Sequence, residues 1–327
     1  MRKLSGLLML LWAATGLASP PEGPFLGQQP PGLAPEIFAP GLVSTGLHER
    51  DLLVHPDGLT IWYGVMAGPL ATVFETRLLD GHWTAPAQAP IHADRAFACF
   101  EPTLSADGGR ALFLTNRAAP GQEQGTGWTN QNIFECRRGP DGSWSEATAL
   151  PPPVTTDDGE YFPCLADDGT LYFTRDTADG SGVWMAEPAG DGWSEPVKLA
   201  GAVNITDRVY NVYCAPDESW MVGCVGGHED NLGGADYWIS FNDDQEGWSS
   251  AVNLGEPFNG PGLHAMSVSL SRDGKYFFFS SRRVTVLQPA ADEPLTQADL
   301  LAAHGEPGGG SLDIWWVDAR VLERWRQ

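Results

Sequence analysis

Apolar residues in this 327-residue chain come in short bursts, and the bursts return in one fixed order. An apolar run is followed by an Asp-led turn, a second apolar run, a gap, and a third run centred on an aromatic. The turns are HPDGL (55–59), SADGG (105–109), ADDGT (166–170), APDES (215–219) and SRDGK (271–275). The third runs are TVFETRL (72–78), QNIFECR (131–137), SGVWMAE (181–187), ADYWISF (235–241) and LDIWWVD (312–318). A Trp-centred phrase follows four of the five, at Trp83, Trp144, Trp193 and Trp248. The turn aspartates Asp57, Asp107, Asp168, Asp217 and Asp273 stand 50, 61, 49 and 56 residues apart.

A period near 50 residues, built from strands and turns, predicts a propeller. Each module reads as a four-stranded blade. The first strands (RDLLVH, EPTLS, FPCLA, VYNVYCA, MSVSLS) are nearly continuous apolar runs, as expected of strands buried on both faces. Asp-Gly suits the hairpin that follows, because Gly takes a positive φ without steric cost. The Trp-centred phrase is expected on the fourth strand, with its tryptophan wedged between blades.

The fifth module lacks a fourth strand. Residues 35–45, PEIFAPGLVST, resemble the fourth-strand segments PVKLAGAVN (196–204) and AVNLGEPFN (251–259). The early segment is therefore expected to complete the last blade and close the ring, which removes open strand edges. The predicted fold is all-β, a five-bladed propeller of four-stranded blades. Its modules run about 46–92, 93–153, 154–204, 205–259 and 260–318, within one domain over 35–327. Insertions at 118–130 and 284–310 break the rhythm, and the second includes a helix signal ending at Gly305.

Residues 1–18 read as an export signal: Arg2 and Lys3, a short apolar stretch, then Gly16 and Ala18 before a cleavage point. A Pro-rich leader spans 19–34. No Cys follows the small residues, so no lipid anchor is expected, and no run is long enough to span a membrane. The formal charge is −23, and loss of Arg2 and Lys3 takes it to −25. Such a surface repels nucleic acid, and the mature chain is expected to be exported, periplasmic or extracellular. The five cysteines contain no CxxC pair. Cys214 and Cys224 flank one turn, so a disulfide between them is an open alternative to burial as free thiols.

The phrase SRDGKYFFFSSR (271–282) resembles the WD40-like β-propeller repeat of the TolB periplasmic protein. The W-S-E-P-V-x-L and D-I-W-W-V-D pieces resemble the same repeat in exported bacterial proteins, and the likeness covers about 35–318. Module four departs from it, with PDES in place of PDGK. The resemblance implies a propeller. It leaves function open among protein-binding scaffolds, substrate-gating domains of proteases and polysaccharide-acting enzymes.

In a propeller, the loops entering the first strands gather at the mouth of the central channel. Those loops carry His48, Glu49 and Arg50; Arg95 and Glu101; Asp157, Asp158 and Glu160; Asp207, Arg208 and Tyr210; and His264. They form the expected ligand-binding set. Arg117, Arg175 and Arg282 recur near the ends of second strands, as expected of arginines that bond neighbouring carbonyls. The stretch GGHEDNLGGAD (226–236) lacks the ligand order of a calcium loop and reads as a hairpin. No nucleophile elbow, P-loop or H-E-x-x-H motif occurs. No cofactor is expected. The expected function is non-catalytic binding of a protein or carbohydrate at the channel mouth. The alternative is a glycosidase or lyase using Glu49, Glu101, Glu160 or Asp207, which needs two facing carboxylates.

Overall fold

Each Asp-led turn joins the first two strands of one antiparallel sheet, and the aspartate holds the turn shut. Asp57 Oδ1 accepts from the amides of Leu59 (2.7 Å) and Thr60 (3.0 Å), with Gly58 at φ 65°. In blade four the left-handed position falls to Glu218 (φ 57°), whose carboxylate accepts from the Tyr172 hydroxyl of blade three. The computed structural model describes residues 20–92, 94–243, 246–285 and 294–326. The export signal expected at 1–18 lies outside them.

There are five sheets of this kind. Blade one runs His48–Val54, Thr60–Ala67, Leu70–Leu79 and Ala87–Gln88 from its inner to its outer edge. Blade two runs Cys99–Leu104, Arg110–Thr115, Asn132–Arg137 and Thr148–Ala149. Blade three runs Gly159–Leu165, Leu171–Thr177, Gly180–Ala186 and Val197–Lys198. Blade four runs Val209–Cys214, Trp220–Gly226, Ala235–Asp243 and Val252–Asn253. Blade five takes Val268–Leu270, Tyr276–Ser281 and Asp313–Asp318 from the end of the chain, and Glu36–Ile37 from its beginning. The inner strands abut one another in cyclic order, so the sheets encircle an axis.

The closure follows the register expected from the sequence. Glu36 pairs with Trp316 and Ile37 with Trp315, and the Phe38 amide donates to the Ile314 carbonyl at 2.8 Å. Ser44 then bonds both backbone groups of Ile314 (3.1 and 3.2 Å). Phe38, Leu42 and Val43 are buried between blades five and one, against Ile61, Phe278 and Trp316. The leader packs as well: Trp83 donates its amide to the Pro21 carbonyl and its indole N–H to the Gly23 carbonyl.

The core is five inter-blade layers, since each large apolar cluster joins residues of adjacent sheets. The repeated tryptophans are part of it. Each packs on the preceding blade: Trp83 on blade five, Trp144 against Trp62 of blade one, Trp193 on Leu112 and Ile133 of blade two, and Trp248 on blade three. The outer strand lies within the Trp phrase, as expected, but towards its end and not at the tryptophan. In blades one and four the tryptophan pairs with the far end of the third strand (Leu78 with Trp83, Asn242 with Trp248), and the two-residue outer strand that follows pairs with its middle.

All five cysteines are buried and free. Cys214 faces Met221 and Cys224 faces Tyr210, at opposite ends of one hairpin, so the register rules out the Cys214–Cys224 disulfide. In the second insertion a helix spans Gln297–His304, with a capping box between Thr296 and Asp299 and Gly305 at its end. No described helix is long and apolar enough to cross a membrane.

Candidate functional site

The loops entering the inner strands gather on the face opposite the Asp-led turns. Just inside this face, the inner strands of blades one to four each break register at one residue in the left-handed region. These are Asp51 (φ 56°), Glu101 (φ 56°), Phe162 (φ 48°) and Asn211 (φ 48°). A non-glycine residue there costs about 1–3 kcal/mol and persists only where its surroundings over-determine it. Here a hydrogen bond crosses every seam of the ring. Asp51 N–H donates to Ser267 Oγ (3.1 Å), Glu101 N–H to Asp51 (3.3 Å) and Phe162 N–H to Glu101 (2.9 Å). Asn211 N–H donates to Thr174 Oγ1 (3.0 Å), and Asn211 Nδ2 to the Met266 carbonyl (2.5 Å).

Arg50 sits at the centre of this ring and is buried. Its Nε donates to Asp51 (2.7 Å), one terminal nitrogen to Glu101 (2.6 Å) and the other to Met266 Sδ (3.2 Å). Its guanidinium lies 5.1 Å from the centre of the Phe100 ring. Burial disfavours the Arg50 charge, but Asp51 and Glu101 more than offset this and hold its pKa above the usual value. Burial pushes Glu101 up to about 8, with Arg50 pulling the other way.

Above this floor the rim is largely aromatic. The first insertion delivers Trp128, which is 44% exposed and rests edge-on against Phe100 at 5.2 Å. Tyr161 donates to Asp176 at 2.9 Å. Tyr210 and His264 stack, with ring centres 6.1 Å apart and planes at 23°. The Tyr210 hydroxyl lies 2.8 Å from both the Ala265 carbonyl and His264 Nε2. Its one proton goes to the carbonyl, which can only accept. His264 Nε2–H therefore donates to Tyr210, and Nδ1 carries the free lone pair.

The other expected residues divide into two groups. Glu49 and Glu160 are 1% and 0% exposed. Each closes a turn four residues upstream: the Thr45 hydroxyl and amide donate to Glu49, and those of Thr156 to Glu160. Arg175 also donates to Glu160 (3.0 Å) and to the Val154 carbonyl (2.7 Å), a carbonyl-bonding role like that expected of the repeated arginines. His48 accepts from the Leu312 amide (3.0 Å). Arg95, Asp207, Arg208, Asp157 and Asp158 are exposed. Arg282 has no hydrogen bond or ion pair among the described residues. Sequence reasoning missed Trp128 and Tyr161 as rim groups. Trp128 had one usable signal: it lies in an insertion, outside the repeated Trp phrase.

Among the described residues, no group of three or more His, Cys, Asp or Glu side chains is arranged to hold a metal ion. In the 226–236 hairpin, Asp236 spends its carboxylate on the Leu232 and Gly233 amides (2.6 and 2.9 Å) and on Asn253 (2.9 Å).

The buried groups set a pH dependence. Burial raises Glu49 to about 7 and Glu101 to about 8, from a usual 4.5. Their stabilising proton uptake is complete at acid pH and is lost as pH rises through those values. Burial lowers His48, His55, His92 and His264, so their contribution runs the opposite way and is complete above 6.5. Between pH 6.5 and 8 the carboxylates act alone. Thermal melts should therefore show the midpoint falling across that window, with a shallower fall in Glu101→Gln. A midpoint that rises from pH 6.5 to 8 contradicts the assignment.

No family model matches this chain, and no curated protein matches it. Among solved structures it is similar to TolB from Acinetobacter baumannii, at 14% identity over 82% of this chain and 54% of that one, with a TM-score of 0.47. It is similar to a putative TolB from Agrobacterium tumefaciens, at 12% identity over 71% of this chain and 69% of that one, with a TM-score of 0.46. It is also similar to a puromycin-hydrolyzing peptidase of Mycobacterium tuberculosis, at 13% identity over 84% of this chain and 44% of that one, with a TM-score of 0.41. The chain spans about half the length of the first of these. The five sheets and their closure by Glu36–Ile37 define the chain as a five-bladed propeller, the fold implied by its TolB-like repeats.

Proposed function

We propose that the chain is an exported, non-catalytic scaffold that binds a protein or carbohydrate ligand at the channel mouth. The observation that carries this reading is the division of labour there. The carboxylates Glu49, Glu101 and Glu160 are buried with both oxygens accepting hydrogen bonds from the protein. The groups facing outward are the aromatic Trp128 and the stacked Tyr210–His264 pair, with Asp157, Asp158 and Asp207 as the exposed carboxylates and Asp207 3.9 Å from Arg208. Aromatic faces with a polar tip suit both sugar rings and peptide side chains, and they lose little conformational freedom on binding. The enzyme alternative needs carboxylates that can reach a substrate and exchange protons with it. Removing Glu49, Glu101 and Glu160 together would therefore test folding before it tested turnover.

The test is calorimetric titration of the full chain with a panel of oligosaccharides and of peptides, with product analysis in parallel. A ligand is expected that binds without being cleaved. Trp128→Ala is expected to weaken it about tenfold, since an aromatic contact is worth about 0.5–1.5 kcal/mol beyond its burial. The melting temperature should scarcely change, because Trp128 lies outside the inter-blade clusters. Turnover of any panel member, or a bound ligand indifferent to both Trp128→Ala and Tyr210→Ala, overturns the proposal.

A further inference from the structure

At the mouth face, four seams of the ring are stitched by a backbone hydrogen bond. It joins the third strand of one blade, or the residue just before it, to the start of the next inner strand or the approach to it. Glu160 N–H donates to Gln131 O (2.9 Å), Ser181 N–H to Asp207 O (2.9 Å), Ala265 N–H to Ala235 O (2.8 Å) and Glu49 N–H to Leu312 O (2.7 Å). The seam between blades one and two has no such bond among the described residues. There the Ala98 amide turns back to Asn116 Oδ1 of its own blade (2.8 Å).

At this unstitched seam the structure opens into a cavity of about 390 Å³. Its walls include Val65, Ala71, Phe74 and Phe97, and the leucines Leu47 and Leu70 stand exposed at its edge. Small-molecule sites have this size and this kind of lining, with a few polar groups that fix orientation. The cation lining the cavity is Arg95. It is exposed and has no hydrogen bond or ion pair among the described residues, whereas the neighbouring Asp94 carboxylate accepts from the Ala96 amide (2.9 Å). A guanidinium with unspent donors beside an apolar cavity is complementary to an anionic head on an apolar body. The negative charge of the rest of the chain opposes such a ligand only weakly, because screening limits it to about 8 Å at physiological salt.

We propose that this cavity binds a small amphiphilic carboxylate, with its alkyl chain between blades one and two and its carboxylate on Arg95. Trp128, Tyr210 and His264 do not line this cavity, and the proposal does not depend on the channel-mouth reading.

Octanoate is the probe, with 1-octanol as its uncharged counterpart, each titrated into the full chain by calorimetry. One octanoate is expected to bind per chain, about tenfold more tightly than octanol, since a charge-assisted bond to Arg95 is present only in the acid. Arg95→Ala should erase that preference and leave octanol binding intact, and Ala67→Trp, which places bulk at the cavity lining, should block both. Absence of heat up to about 10 mM octanoate overturns the proposal. So does an acid preference that survives Arg95→Ala, or binding that Ala67→Trp leaves unchanged. Octanoate binding abolished by Trp128→Ala and untouched by Arg95→Ala would assign it to the channel mouth instead.

Discussion

Arg50→Ala is expected to destabilise the fold by about 3–5 kcal/mol, among the largest effects of any single change at the channel. The reason lies in what the substitution leaves behind. Asp51 and Glu101 are buried, and each directs a carboxylate at the guanidinium. Without Arg50 the two acids share a dry site with no counter-ion, and protonating Glu101, which its raised pKa favours, still leaves Asp51 without a cation. The same two side chains accept the backbone hydrogen bonds that cross the seams between blades one and two and between blades two and three. A second variant separates charge from packing. Arg50→Met, Asp51→Asn and Glu101→Gln together remove all three ionisable groups, and asparagine tolerates the left-handed backbone at position 51. This triple variant should be more stable than Arg50→Ala alone. Urea unfolding with an unchanged m-value reads both. A loss below about 1 kcal/mol in Arg50→Ala would mean that water already solvates the cluster.

Phe38→Ala is the second large effect, expected at about 3–5 kcal/mol. Phe38 is fully buried where the N-terminal segment enters between the last blade and the first. Its ring meets Phe278 at 5.3 Å and Trp316 at 5.1 Å, both edge-on. Phe25 and Leu26 of the leader pack in the same layer. The loss should differ from an ordinary core deletion in one respect. Loosening the latch bares the edge of Asp313–Asp318, and an open edge invites pairing with another chain. Sedimentation of Phe38→Ala is therefore expected to show concentration-dependent association below its melting temperature, while a cavity variant within one layer, such as Val212→Ala, stays monodisperse at matched stability. Equal behaviour of the two variants would contradict a latch role for this segment.

The repeat made most of the fold legible. The Asp-led turns, the aromatic third strands and the likeness of 35–45 to two later outer-strand segments report local hydrogen bonding and strand periodicity, which short stretches of sequence record. The tryptophan wedges were legible for the same reason, since one residue recurs at one place in each blade. The channel was far less so. Glu49 and Glu160 looked like free carboxylates in loops. Their burial depends on Thr45 and Thr156, and the shared Thr-x-x-x-Glu spacing was the one available signal. Asp51 escaped notice because its role comes from a left-handed bend and from a partner, Glu101, 50 residues away in another blade. Which seam lacks its backbone bond, and so opens a cavity beside Arg95, is decided by the assembled ring and leaves no local mark.

Amide exchange at Phe38 tests the ring closure most directly. Its N–H is held by the Ile314 carbonyl at the point where the two ends of the chain meet. A closed ring predicts that Phe38 exchanges as slowly as Trp315, which pairs with Phe279 on the opposite side of the strand, and that both open only in global unfolding. Exchange of Phe38 at the rate of an unstructured peptide, with Trp315 still protected, would show that the last blade stands without its borrowed strand.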